Sequence, residues 1–216
     1  MSKLFEPSDS LLLNDIMRHR RDVRGNRFIN TEVPDKVIEK LLDAALLAPS
    51  VGYSQPWQFV VIRQESIKQQ VYDSFCEQTT QASELFSGSK KDDYKQLKLE
   101  GILEAPVNIA VFYLPTEEPV LGQTSMKDMG RFSVVCAIQN IWLMARALNV
   151  GIGWGSIVDP NKVKKAVNAP KESELISYLC VGYVSEFLDE PELKKMAWDK
   201  QKKKQDVVFK NTFSSK

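Results

Sequence analysis

Residues 125–148 constrain this chain more than any other stretch. Val134, Val135, Ala137, Ile138, Ile141, Trp142 and Ala145 make it apolar nearly all round at helical spacing, and a helix without a polar face has to be surrounded. The spacing predicts the longest helix of the chain, buried at its centre. Gln139 and Asn140 within it need hydrogen-bond partners. The material to surround it is present. Residues 59–62 and 107–113 are short apolar runs that read as strands covered on both faces. Residues 151–157 form a glycine-rich strand, and 177–183 another. Residues 34–48 set Val37, Ile38, Leu41, Leu42, Ala45 and Leu46 on one helical face, with Pro34 suited to the first turn and Pro49 a stop. Residues 66–82 and 94–103 also read as helices, and Asp159 with Pro160 starts a short one. Ser10 or Asn14 caps a short helix through Met17, after a loose lead-in over residues 1–9. Helices alternating with strands give an α/β or α+β domain.

The 216 residues suit one large domain or two small ones, and neither a repeat nor a boundary divides them. A formal net charge of +1 argues against a nucleic-acid binder. Cys76, Cys136 and Cys180 are scattered and odd in number, which fits a reduced, cytoplasmic setting. Three such cysteines and one histidine offer no metal-ligand spacing. No apolar run reaches the ~18 residues of a membrane span.

Three stretches carry chemistry. In residues 18–28, Arg18, Arg20, Arg21, Arg24, Arg27 and His19 crowd around Asp22. Guanidinium forks match phosphate oxygens, and a carboxylate among arginines is held ionised; the same run also reads as a solvated basic face. Residues 48–57, with Ser50, Gly52, Ser54 and Gln55 between prolines, offer hydroxyls and amides for a heterocycle edge, or form a plain connector. In Gly151-Ile152-Gly153-Trp154-Gly155-Ser156, alternate glycines invite a close approach, either by a flat ring or by a neighbouring element. Ser156 lacks the strand-to-helix elbow of a hydrolase nucleophile. With His19 the sole imidazole, the sequence argues against a Ser-His-Asp triad.

Taken together, Arg20-Arg21-Asp22-Val23-Arg24-Gly25-Asn26-Arg27-Phe28, Ala48-Pro49-Ser50-Val51-Gly52 with Gln55-Pro56-Trp57, residues 97–111, and Cys136-Ala137-Ile138-Gln139-Asn140-Ile141-Trp142 running into 151–157 resemble the nitroreductase-like flavoprotein superfamily. Within it they resemble the 5,6-dimethylbenzimidazole synthase (BluB) family, collinearly from about residue 18 to 198. The resemblance implies an α+β nitroreductase-like fold, with a central mixed sheet flanked by helices in one domain over residues 1–216. It also implies an intertwined homodimer, a lid over residues 83–97, and a C-terminal extension over residues 199–216. That extension would add Val207-Val208-Phe209 to the partner's sheet. FMN would lie at the dimer interface. Arg20, Arg21 and Arg24 would hold its phosphate and ribityl chain, and Ser50, Gly52 and Ser54 would line its ring. Gly153, Gly155 and Ser156 would lie alongside, with Leu97 in the lid and Lys202 or Lys200 in place of the family's C-terminal arginine.

In that family reduced FMN is the substrate. Molecular oxygen fragments it to 5,6-dimethylbenzimidazole, the lower ligand of vitamin B12, and erythrose 4-phosphate, with no metal. By resemblance Asp22 is the acid/base at the ribityl carbon and Ser156 assists proton transfer. An external flavin reductase supplies the reduced flavin. Gly155 stands where the family has a bulkier valine, which loosens the wall against the ring. The competing readings are an NAD(P)H-dependent nitroreductase or flavin reductase, whose motif has a serine-like residue in place of Asp22, and a non-catalytic flavin-binding protein.

Overall fold

In the computed structural model, which describes residues 3–85, 87–88 and 100–213, a four-stranded sheet separates two layers of helix. The strands are β1 (Trp57–Ile62), β2 (Val107–Tyr113), β3 (Gly151–Gly155) and β4 (Glu174–Gly182), in the spatial order β1-β2-β4-β3. All three ladders are antiparallel. The sheet's parallel component is a single bridge between Asp22 and Ile152. The helices are α1 (Pro7–His19), α2 (Asp35–Leu46), α3 (Glu65–Ser83), α4 (Met129–Ala147), α5 (Pro160–Ala166), α6 (Glu192–Lys195) and α7 (Lys204–Val207).

β2 is buried along its whole length because its alternating side chains serve two cores. Val107, Ile109, Val111 and Tyr113 meet Ile38 and Leu41 of α2 and Val134, Ile138 and Ile141 of α4. Ala110 and Phe112 face the other way, onto Val71, Val163 and Tyr178 in the layer of α3 and α5. β1 lies at the sheet edge, so the expectation of burial on both faces fails there: Val61 is 39% exposed.

The central helix is shorter than its apolar run. It starts at Met129, after turns over residues 125–128, and has the same 19 residues as α3. One face is buried through Val134, Ala137, Ile138, Ile141 and Ala145. Asn140 finds its partner in the Ala44 carbonyl, at 3.0 Å. The opposite stripe, with Phe132, Val135, Cys136 and Gln139, stays exposed, so the described residues cover only one side of a helix that is apolar nearly all round. α1 also begins earlier than expected. Pro7 occupies its first turn, and Asp9 Oδ2 accepts from the Glu6 N–H at 2.9 Å. Residues 94–99 lie outside the described residues, and 102–104 form a turn, so the expected helix does not run to 103. The lid expected over residues 83–97, Leu97 included, lies largely outside them too. Val207 ends a one-turn helix where an extended segment was expected, and Val208 beyond it is extended and exposed. Among the described residues no helix is long and apolar enough to cross a membrane, and no group of three or more His, Cys, Asp or Glu is placed to hold a metal.

The space at Gly153 belongs to the chain itself. A Cβ there would collide with the Val23 carbonyl oxygen, whereas one at Gly155 meets only the Tyr178 carbonyl oxygen at an ordinary 3.4 Å. Gly153→Ala should therefore cost about 2 kcal/mol or more and Gly155→Ala no more than about 0.5 kcal/mol. Urea unfolding of the two variants checks this; equal losses would contradict it.

Candidate functional site

After α1 the chain turns extended at Arg20 (φ −65°, ψ 133°) and joins the sheet. The Val23 N–H donates to the Ile152 carbonyl at 2.9 Å, and the Val23 side chain is buried. Asp22 is held from two sides. Oδ1 accepts from the Trp154 N–H at 2.9 Å, and Oδ2 pairs with Arg24 Nη2 at 2.7 Å. Partial burial dominates its proton affinity and pushes the carboxyl above its ordinary value. Arg24, the Trp154 N–H and Arg20 pull the other way, and Glu192 adds to the rise.

The neighbouring arginines are fixed by tryptophan and by carbonyls. The Arg20 guanidinium lies 4.7 Å from the Trp142 ring centroid, and burial lowers its proton affinity. Trp142 Nε1 donates to the Arg21 carbonyl at 3.1 Å, and its ring stands 6.0 Å from that of Trp154. Arg21 donates to the carbonyls of Arg18 and Arg20 at 2.7 Å each and to that of Asp189, while its Nε is buried without a partner. Arg21 thus braces the loop with most of its fork. His19 Nδ1 meets the Asp15 carbonyl within α1 at 2.9 Å, so the sole imidazole serves the helix end. Arg20, Arg21, Asp22 and Arg24 line one cleft of about 130 Å³, closed by Pro191, Glu192 and Leu193.

Ser50, Gly52 and Ser54 sit on a second strained loop. The 3-10 turn Val51–Tyr53 puts Gly52 at φ 54°, where a Cβ would stand 2.7 Å from the Leu121 carbonyl oxygen. Tyr53 (φ 56°) and Gln55 (φ 47°) are left-handed without being glycine, a cost that tends to be kept at functional loops. The Ser133 hydroxyl of α4 accepts from the Val51 N–H at 3.0 Å, Ser50 Oγ accepts from the Gln55 N–H at 3.1 Å, and Ser54 Oγ is buried without a partner. This loop rests on α4 at Ser133, whereas the arginine cleft rests on it at Trp142. Those positions are nine residues apart, about 14 Å along the helix axis.

The other expected residues are dispersed. Gly153 is filled by Val23, Gly155 is buried with room beside it, and Ser156 is exposed just past β3. Lys200 and Lys202 are exposed and do not line the cleft. Sequence reasoning missed the Trp142 platform, assigned only to the core, and the closure by Pro191, Glu192 and Leu193. Pro191 marks only a helix start; nothing local places it against Arg24.

The nitroreductase family model matches residues 17–183. The 5,6-dimethylbenzimidazole synthase of Rhodospirillum rubrum is 38% identical over 92% of this chain and 94% of its own length. An iodotyrosine deiodinase structure bound to FMN and 3-iodo-L-tyrosine matches with a TM-score of 0.73 at 26% identity, over 93% of this chain and 100% of that chain. A BluB-like flavoprotein from Clostridium difficile shares the fold, with a TM-score of 0.69 at 22% identity over 94% and 99% of the two chains.

The raised carboxyl of Asp22 fixes the sign of a pH effect. The folded state binds its proton more tightly than the unfolded state. Asp22 therefore takes stability away as pH rises from the ordinary value of 3.8 through the folded one. The stability of Asp22→Asn minus that of the native chain should grow from pH 3.5 to pH 7 in denaturant melts. A difference that shrinks over that range contradicts the assignment.

Proposed function

The chain belongs to the nitroreductase family and, within it, to the 5,6-dimethylbenzimidazole synthases, and we propose that it converts reduced FMN and molecular oxygen to 5,6-dimethylbenzimidazole with release of a four-carbon sugar phosphate. The observation that carries this reading is the carboxyl of Asp22, raised in proton affinity and set against the Arg24 guanidinium in an arginine-lined cleft. A carboxyl whose proton affinity is raised is better suited to take and return a proton, and the arginines are suited to an anionic ligand.

The residues fit FMN. Ser54 Oγ and Arg21 Nε are buried polar atoms still lacking partners, and a bound nucleotide has acceptors and donors for both. Arg20, Arg21 and Arg24 would hold the phosphate and ribityl chain, and Ser50, Gly52 and Ser54 the ring edge, with Gly155 leaving room beside it. When bound, reduced FMN supplies both the electrons for oxygen and the ring that is broken. In this reading Asp22 accepts a proton from the ribityl carbon through Oδ1 or Oδ2. Arg24 steadies the charge that Asp22 carries, and Ser156 passes protons at the strand end. The reduced flavin comes from a separate reductase, and the enzyme works in the cytoplasm.

A cleft of about 130 Å³ is below the ~300 Å³ at which ligand pockets begin, and the Ser50 loop rests on α4 about 14 Å farther along its axis. We therefore assign the complete site to a homodimer, with the arginine cleft of one protomer facing the Ser50 loop of its partner across the exposed stripe of α4 at Phe132 and Val135. Such a two-fold arrangement uses the same patch twice.

With chemically reduced FMN and oxygen, mass spectrometry should find 5,6-dimethylbenzimidazole; steady NAD(P)H consumption with intact flavin would instead overturn the proposal. Asp22→Asn should keep flavin binding and lose product formation by about 100-fold or more. Product formed at the native rate removes Asp22 from the chemistry. Mixing inactive Arg24→Ala and Gly52→Val proteins tests the shared site. Random subunit exchange should restore about a quarter of native activity, whereas a site built within one protomer gives none.

A further inference from the structure

Glu192 has no part in the reaction described so far, yet it closes the cleft. It lies on α6, beyond the last strand, and reaches back to the arginine segment. Its Oε1 pairs with Arg27 Nη2 at 3.1 Å, and its Oε2 lies 3.9 Å from Arg24 Nε. Arg27 is anchored on its other side by Glu186 at 2.6 Å. The Nη2 of the same Arg24 guanidinium meets Asp22 at 2.7 Å. Arg24 therefore stands between two carboxylates, 14% exposed, with the Glu192 side chain at 23% and that of Asp22 at 30%.

We propose that Glu192 is a positioning residue for the synthase reaction: anchored by Arg27, it holds the Arg24 guanidinium in place beside Asp22 and keeps that arginine from neutralising Asp22 fully. The proposal rests on the functional reading above. An arginine shared by two carboxylates gives each less than its whole charge, and a like charge nearby disfavours ionisation of its neighbour. The groups that face Asp22 are few. Arg20 and Arg24 come from its own segment, the Trp154 N–H from β3, Glu192 from α6, and the buried Cys180 thiol, neutral because burial pushes it well up, from β4. The Arg21 fork is turned onto the Arg18, Arg20 and Asp189 carbonyls. Of these groups, Glu192 is the one carboxylate that opposes the arginines, and its effect on Asp22 has the same sign as burial.

Glu192→Gln keeps the size of the side chain and removes its charge. In that variant the acid limb of the product-formation profile should move down by about half a pH unit. kcat should fall about threefold as the base weakens. FMN should bind about threefold more tightly, the scale of one partly exposed ion pair, while riboflavin, which has no phosphate, binds as before. Glu192→Asp should return the acid limb toward its native position. A purely structural role would lower the melting temperature and leave the acid limb where it was, and that result overturns the proposal, as does weaker FMN binding. If the native protein makes no product, the synthase reading fails by itself. The carboxyl titration of Asp22 by carbon NMR then still decides the role of Glu192: a downward move in Glu192→Gln supports it and an unmoved curve overturns it.

Discussion

Two hydrogen bonds to β3 hold the arginine segment in place. The Val23 N–H reaches the Ile152 carbonyl, and the Trp154 N–H reaches the Asp22 carboxylate, each at 2.9 Å. One is main chain to main chain and fixes the path; the other aims a catalytic candidate. Because both end on neighbouring residues of a buried strand, Asp22 inherits the rigidity of the sheet. The third residue of the joint, Gly153, yields its side-chain space to the Val23 carbonyl. Without that space the segment would ride higher on the sheet, and neither hydrogen bond would form.

α4 is the second organising element. It presents Ser133 to the Ser50 loop and Trp142 to the arginines, so a single helix fixes how far apart the loop and the arginine segment lie within one chain. Its buried face ties it to α2 and the sheet, and its exposed stripe leaves an apolar surface uncovered by the described residues of this chain. The likeness to FMN-bound iodotyrosine deiodinase extends over the whole of this arrangement. That likeness does not decide the reaction, since related folds host different chemistries, and the roles proposed for Asp22 and Glu192 rest on the geometry of this chain.

Much of this arrangement was legible in the sequence because it follows from local rules. Helical spacing located α2 and α3, the apolar run located β2, and Asp159 with Pro160 announced α5, whose cap accepts from the Asn161 N–H at 2.8 Å. The arginine run stood out by residue type as a candidate for binding an anion. What escaped was decided between distant segments. The glycines of β3 invite a close approach, but spacing cannot say whether a ligand or Val23 comes near. Edge exposure of β1 depends on sheet order. Glu192 lies 168 residues from Arg24, and only the return of the chain after β4 brings it there. The start of α1 was missed because Glu6 and Asp9 act where a hydroxyl residue is the usual signal.

Phe28 closes the far end of the arginine segment. Its ring packs against Gly101 and Gly182, Gly25 donates to the Glu100 carbonyl at 2.7 Å, and Ile29 and Ser185 knit the same turn to the exit of β4. Three stretches far apart in sequence thus meet at one knot. Because their hydrogen bonds interlock, the three stretches form one candidate cooperative unit for local opening. The backbone at Glu100 and Gly101 is therefore tied to the arginine segment, so that loosening one slackens the other.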